Sequence, residues 1–154
     1  MVCNLMSYSP AFFNANSNGQ AKATGSNFQN GSGSSISKGV PVSVLASNSQ
    51  LSLVDVSSEI SVQAIVGLCG IAIPNGATGN VVDNGRLQDV STSFNFGDAL
   101  YIAKDGSLTN VKPDLGSNGF TDGDFVVFVG VVVKNEFNSS LKDIKLMISV
   151  IGQL

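Results

Sequence analysis

Short runs of valine, isoleucine and leucine, separated by turn-forming residues, dominate the chain from Val40 onward. Asn-Gly pairs begin at positions 18, 30, 75, 84 and 118, and these residues readily adopt the positive φ that tight hairpin turns require. Runs of this length are typical of β-strands, because helices in globular domains usually extend over ten or more residues. The pattern predicts an all-β chain with many hairpins.

Turn residues and apolar runs also predict individual elements. Two hairpins are expected, one through Asp-Asn-Gly at 83–85 and one through Lys-Asp-Gly at 104–106. A single short helix fits residues 55–64, with Asp55 or Ser57 as its N-cap. The remaining strands are expected at residues 40–45, 50–54, 66–73, 125–133 and 146–151.

Two apolar runs, at residues 125–133 and 146–151, do not alternate between apolar and polar positions. A strand without a polar face is covered on both sides. The second cover is either the other layer of an ordinary β-sandwich or a neighbouring subunit, and both interpretations stay open. The candidate subunit-contact residues are the aromatic and apolar residues of the N-terminal segment and of the first run: Phe12, Phe13, Phe28, Phe125, Val127, Phe128 and Val131.

Residues 1–37 have a different composition from the rest of the chain. They are rich in Ser, Asn and Gly, and Lys22 is their one charged residue. Such a segment buries too little apolar area to offset the entropy lost on ordering. We therefore expect an extended N-terminal arm at 1–37, held by neighbouring subunits, and a β-barrel or β-sandwich domain at 38–154.

Charged residues make up only 12% of the 154 residues, there is no histidine, and Arg86 is the single arginine. Histidine-based catalysis and histidine metal ligation are therefore excluded, and a serine nucleophile would need a lysine as its base. Asp122 and Asp124 look like part of a calcium loop but lack the bidentate glutamate that completes one, so a tight turn is expected there. We expect a protein without enzymatic activity, cofactor or metal.

Other features of the sequence limit the kinds of partner that the protein can have. The net charge of −3 has the wrong sign for binding nucleic acid through its phosphates. The longest apolar run is about half of what a membrane-spanning helix needs, and the first residues lack the apolar core of an export signal. Cys3 and Cys69 are too few for a disulfide framework or a zinc site, so two free thiols are expected.

An internal repeat is visible as two similar sets of segments. Residues 39–44 and 50–55 resemble residues 97–102 and 107–112, and a Val-Gly pair opens an apolar run at 66–67 and again at 129–130. Two hairpin-plus-strand units that fold onto each other would form a closed β-structure with few free edges. The sequence therefore predicts two related halves.

Several motifs carry a resemblance to a known class of proteins. The sequence has Gly-Asp-x-Leu-Tyr from residue 97, Gly-x-Leu-Thr from 106 and Val-Gly-Val from 129. Upstream it has Gly-x-Pro-Val from 39, Val-Gly-x-x-Gly-Ile-Ala from 66 and Asn-Gly-x-x-Gly-x-Val from 75. In this order the motifs resemble those of the small β-rich structural proteins of tailed bacteriophage virions.

The resemblance implies a compact, β-tulip-like barrel or sandwich with an extended arm and at most one short helix. It also implies a place in the virion as a homo-oligomer, with a trimer favoured, and contacts with the major capsid protein or other virion proteins rather than nucleic acid or membrane. The favoured role is that of a head decoration or cement protein without catalytic residues. The alternative is a neck, tail or fibre component, or a carbohydrate- or receptor-binding module whose aromatic platform would be Tyr101, Phe94 and Phe96.

Overall fold

A computed structural model describes residues 23–154, and these residues confirm the all-β prediction with nine strands and one short helix. Every pairing between the strands is antiparallel, and the sheet curls into a half-barrel. The elements are β1 (Ala23–Gln29), β2 (Pro41–Val44), β3 (Leu51–Leu53), α1 (Glu59–Gln63), β4 (Ile65–Cys69), β5 (Thr78–Leu87), β6 (Ala99–Ile102), β7 (Leu108–Thr109), β8 (Phe125–Lys134) and β9 (Lys142–Gln153).

The two halves of the sheet repeat the same arrangement of strands. The first half has the order β3-β2-β4-β5, and the second has the order β7-β6-β8-β9. The halves meet where β5 and β9 pair antiparallel, through Arg86 with Lys145 and Leu87 with Ile144. This arrangement places an approximate two-fold axis between β5 and β9 and confirms the repeat predicted from the sequence.

The repeat extends to a bulge and a glycine in each half. Val42 of β2 pairs with Gly67 of β4, Leu100 of β6 pairs with Gly130 of β8, and the register shifts directly after each pair. A Cβ atom on Gly67 would collide with a backbone carbonyl of β5, and one on Gly130 would collide with a backbone carbonyl of β9. The two Val-Gly pairs therefore mark points where β4 and β8 lie too close to the next strand for a side chain to fit.

Apolar side chains form two clusters. The main cluster draws on both halves, with Leu68 and Val82 from the first and Leu100, Val129 and Ile144 from the second. A smaller cluster belongs to the first half alone and consists of Ile36, Val42, Leu51, Cys69, Ile73 and Val81. The main cluster therefore joins the halves far more extensively than the two residue pairs between β5 and β9.

Residues 23–37, assigned to the arm by the sequence analysis, belong to the folded β-unit. β1 pairs along β5 from Ala23 with Gly85 to Gln29 with Thr78, and Ile36 is buried in the smaller cluster. The long edge of β5 gives this polar segment backbone hydrogen bonds that its composition does not reveal. The rest of the predicted arm, residues 1–22, lies outside the described residues.

The same pairing explains why the predicted hairpin at 83–85 is wrong. β5 runs through these residues without turning, and Asn84 and Gly85 pair with Thr24 and Ala23 of β1. Local turn preference is overridden here by pairing with a strand that is distant in sequence. The other predicted hairpin, at 104–106, is confirmed, because β6 pairs with β7 across it.

The predicted short helix is confirmed as α1, but its N-cap is Ser58. The hydroxyl of Ser58 accepts a hydrogen bond from the backbone N–H of Ser61 at 3.3 Å. The carboxylate of Asp55 instead accepts from the N–H of Ser57 at 2.9 Å. Asp55 therefore shapes the turn that leads into the helix and does not cap it.

Candidate interaction surfaces

The predicted subunit-contact residues of the N-terminal segment divide into two groups. Phe12 and Phe13 lie outside the described residues. Phe28, on β1, is half-buried and packs against the smaller cluster. Phe28 therefore contributes to the packing of its own subunit, and only its exposed portion could meet a neighbour.

The candidates on β8 do not form one exposed patch. Val127 is fully buried in the main cluster, which leaves it no surface for a subunit contact and corrects that prediction. Phe125 is half-buried against the same cluster, and Phe128 and Val131 are also half-buried. The ring of Phe128 meets that of Tyr101 edge-on, with centroids 5.7 Å apart. The run lacks alternation because both faces of β8 are largely covered by the chain itself.

The three aromatic residues considered as a carbohydrate platform have separate surroundings. Tyr101 packs on Phe128, and Phe94 packs against the main cluster. Phe96 is exposed, but the ammonium groups of Lys134 and Lys142 lie 5.6 and 5.8 Å from the centre of its ring. Each ring therefore has a contact within the subunit. Tyr101 and Phe94 pack against apolar side chains, and Phe96 forms cation–π contacts with two lysines.

Asp122 and Asp124 lie in a tight turn before β8, as the sequence predicts. The backbone N–H of Asp124 donates to the carbonyl of Thr121 at 3.1 Å. The ammonium group of Lys104 donates to both carboxylate oxygens of Asp124, at 2.7 and 2.6 Å. Lysine thus occupies the place that a cation would take, and within residues 23–154 no cluster of three or more potential metal ligands occurs.

Two serine and lysine pairs have the spacing of a lysine-assisted nucleophile, Ser35 with Lys38 and Ser139 with Lys142. The ammonium group of Lys142 donates to the carbonyls of Thr92 and Phe94, at 3.2 and 2.5 Å. Ser35 and Lys38 are both exposed. Lys142 is therefore engaged by backbone carbonyls and Lys38 lies at the surface, and in neither pair does the structure show the lysine donating to or accepting from the serine.

The single arginine has a structural place at the junction of the halves. Arg86 donates to the carbonyl of Lys134 at 3.1 Å and lies 3.6 Å from the carboxylates of both Glu136 and Asp143. Asp143 is fully buried, and it accepts hydrogen bonds from the side chain of Asn135 and the backbone N–H of Asp89, both at 2.9 Å. This network fixes the β8–β9 turn onto the end of β5.

A feature that the sequence did not reveal is the open edge of β9, which we define as the edge of residues 146–153 that faces away from β8. β9 pairs with β8 along its whole length, but it pairs with β5 only through Ile144 and Lys145. Nothing between residues 23 and 154 pairs with the open edge. Met147, Val150 and Ile151 are each about half exposed there, at 48%, 50% and 50%.

The open edge is held firmly at both ends. At its start, Lys145 pairs with Arg86. At its end, the backbone N–H of Leu154 donates to the carbonyl of Asp124 at 2.8 Å, and the N–H of Gly123 donates to the carbonyl of Leu154 at 2.7 Å. A shallow groove of about 500 Å³, lined by Val126, Ile151, Leu154 and the loop residues 112–114, adjoins this end. The edge is therefore an ordered strand with unused backbone groups.

Within the described part of the chain, no helix combines the length and apolar character needed to cross a membrane. Comparison with protein-family models, with curated proteins and with solved structures finds no match to this chain.

Proposed function

We propose that this chain is a non-enzymatic structural protein of a tailed-phage virion, and specifically a head decoration or cement protein that binds and stabilises the outer capsid surface. Its N-terminal arm contacts neighbouring subunits, and residues 23–37 of the predicted arm belong to the folded β-unit. Its partners are the major capsid protein and further copies of itself.

The open edge of β9 is the observation that carries this proposal. Natural proteins usually protect exposed edges with lysine, proline or a covering element, because unused N–H and C=O groups attract other strands. Residues 146–154 contain no charged residue and no proline, although two bulges twist the strand. An ordered edge without charge or proline, beside exposed apolar side chains, favours a protein that works by assembly over one that works alone.

The charge distribution supports the same proposal. A protein on the outside of a capsid gains affinity from area buried against other proteins and does not need to neutralise phosphates. This chain has a net charge of −3, and its single arginine is engaged at the junction of the two halves. A surface built mainly from small polar groups and short apolar patches suits contacts with protein.

A binding experiment tests the proposal. Purified full-length chain is added to particles from which it has been stripped, and bound chain is measured after sedimentation together with the temperature at which the particles release DNA. We expect saturable binding and a higher release temperature. Binding to isolated tails but not to heads would favour the neck, tail or fibre role, and binding to neither would refute a virion role.

A further inference from the structure

The geometry around β1 and β9 points to the way in which copies of this chain join. We propose that the open edge of β9 accepts the N-terminal segment of a neighbouring copy as an additional strand, formed by residues 11–18 of that copy. The proposal rests on the proposed function and deepens it, because it names the surface that receives the arm.

The first step is the position of β1 beside β9. β4 and β9 lie on opposite sides of β5 in the strand order, and β1 pairs with the side of β5 that β4 leaves free. Ala23 of β1 pairs with Gly85, and Lys145 of β9 pairs with the next residue, Arg86. β1 and β9 therefore follow one another along a single edge of β5, and β9 diverges from β5 after Lys145.

The second step is the shape of the gap that this divergence creates. β1 and β9 run in the same direction, since both are antiparallel to β5. The gap between them is closed at Ala23 and Lys145, where both strands are paired with β5, and it opens toward Gln153, since no residue of β9 after Lys145 pairs with β1 or β5. Adjacent strands need about 4.8 Å of separation, so an added strand has room only toward the wide end.

The third step identifies the donor as another copy. The described chain enters β1 at Ala23, at the closed end of the gap, where β9 already occupies the next positions on β5. A segment tethered to a neighbouring subunit can approach from the wide end. The acceptor then gains backbone hydrogen bonds in the manner of β-strand addition.

The fourth step is the match between donor and acceptor. Residues 11–18 lie between Pro10 and Gly19, contain no proline and no charge, and have the same length as the open edge, residues 146–153. They include Phe12 and Phe13, whose rings would cover the exposed apolar side chains of Met147, Val150 and Ile151. Neither partner carries a charge that would be buried unpaired.

Complementation between two variants of the full chain tests the proposal. The donor-blocked variant carries Phe12→Asp and Phe13→Asp. The acceptor-blocked variant carries Val150→Lys. Ser149→Lys, at another exposed position of β9, is a second acceptor-blocked variant. Ile60→Lys, on α1 and 71% exposed, is the matched control. Circular dichroism verifies that each variant is folded, and sedimentation equilibrium measures self-association.

We expect wild type and Ile60→Lys to self-associate equally and each blocked variant to do so at least tenfold more weakly. Mixing donor-blocked and acceptor-blocked variants should restore a one-to-one complex, because each supplies what the other lacks. A monomeric wild type, or a mixture that stays monomeric, would overturn the proposal. If the chain is monomeric and the amides of residues 146–153 are nevertheless protected from hydrogen exchange, the occupant of the open edge is the chain's own segment. Failure of the proposed function would appear separately, as absence of the chain from virions whatever its self-association.

Discussion

Lys104 and Asp124 form a charged pair in which the carboxylate is almost fully buried. The hydrogen bond from Lys104 is the largest cause that holds the pKa of Asp124 below its ordinary value, followed by the backbone N–H of Thr121, while desolvation acts in the opposite direction. A carboxyl group whose pKa is lowered by folding stabilises the native state above its unfolded-state pKa. That stabilisation is lost as the pH falls through the folded-state pKa.

Replacing Lys104 with methionine should therefore destabilise the protein near neutral pH. The buried carboxylate would lose its charged partner, and because the lysine side chain is about a third exposed, we expect a loss of about 1–3 kcal/mol. Urea unfolding measures the free energy, and Lys112→Met, at an exposed lysine, should change it by less than about 0.5 kcal/mol. The loss of stability on acidification below about pH 4 should also be smaller in Lys104→Met than in the wild type. Equal losses of unfolding free energy in Lys104→Met and Lys112→Met would contradict this account.

The thiol of Cys69 is fully buried in the smaller cluster, and burial raises its pKa to about 11. Because the thiolate is the reactive form, Cys69 should not react with a thiol reagent at about pH 8 while the protein is folded. In a Cys3→Ser variant we expect one equivalent to react only after addition of denaturant. Rapid reaction of the native protein would show that the smaller cluster opens or is packed differently.

At the scale of the elements, Gly67 and Gly130 allow β4 and β8 to pass close to the next strand. Gly130→Ala would place a Cβ against the carbonyl of Lys145, and relief requires separation of β8 from β9. We expect a loss of about 2–4 kcal/mol in chemical unfolding. Gly152→Ala lies on β9, where a Cβ meets no neighbour, and its effect should stay within about 0.5 kcal/mol. Similar losses for both variants would show that the close approach does not matter.

The boundary of the folded unit gives a second prediction for the elements. Removal of residues 1–22 should leave cooperative thermal unfolding intact, because β1 and Ile36 remain in place. Removal of residues 1–37 should abolish it or lower the midpoint strongly, because β5 loses β1 and the smaller cluster loses Ile36. Circular dichroism on heating compares the two, and equal midpoints would mean that residues 23–37 contribute nothing to the fold.

The elements also show how far the sequence predicts the structure. Residues 104–106 carry their own turn signal, and the Val-Gly pairs mark the repeat, so the β6–β7 hairpin and the two halves were predictable. β1 was not, because its polar composition hides a strand that forms only when β5 supplies the partner edge. The pairing of Asp124 with Lys104 could not be predicted either, because only the fold brings these two residues together.

At the scale of the whole molecule, two related halves share one apolar core and meet through the antiparallel pairing of β5 with β9. β1 occupies the side of β5 that a fully symmetric molecule would give to β9. This asymmetry separates β9 from β5 after Lys145 and leaves the open edge. The sequence could not predict that edge, because whether a strand is paired depends on the positions of all its neighbours.

Location in the intact particle tests the central claim, a structural role on the virion surface, most directly. Virus particles are purified from the source of the gene that encodes this chain and imaged by cryo-electron microscopy, and the copy number of the chain in them is measured by quantitative mass spectrometry. We predict density for the half-barrel on the outer face of the head, at a fixed ratio to the major capsid protein. Absence of the chain from purified particles would contradict the account.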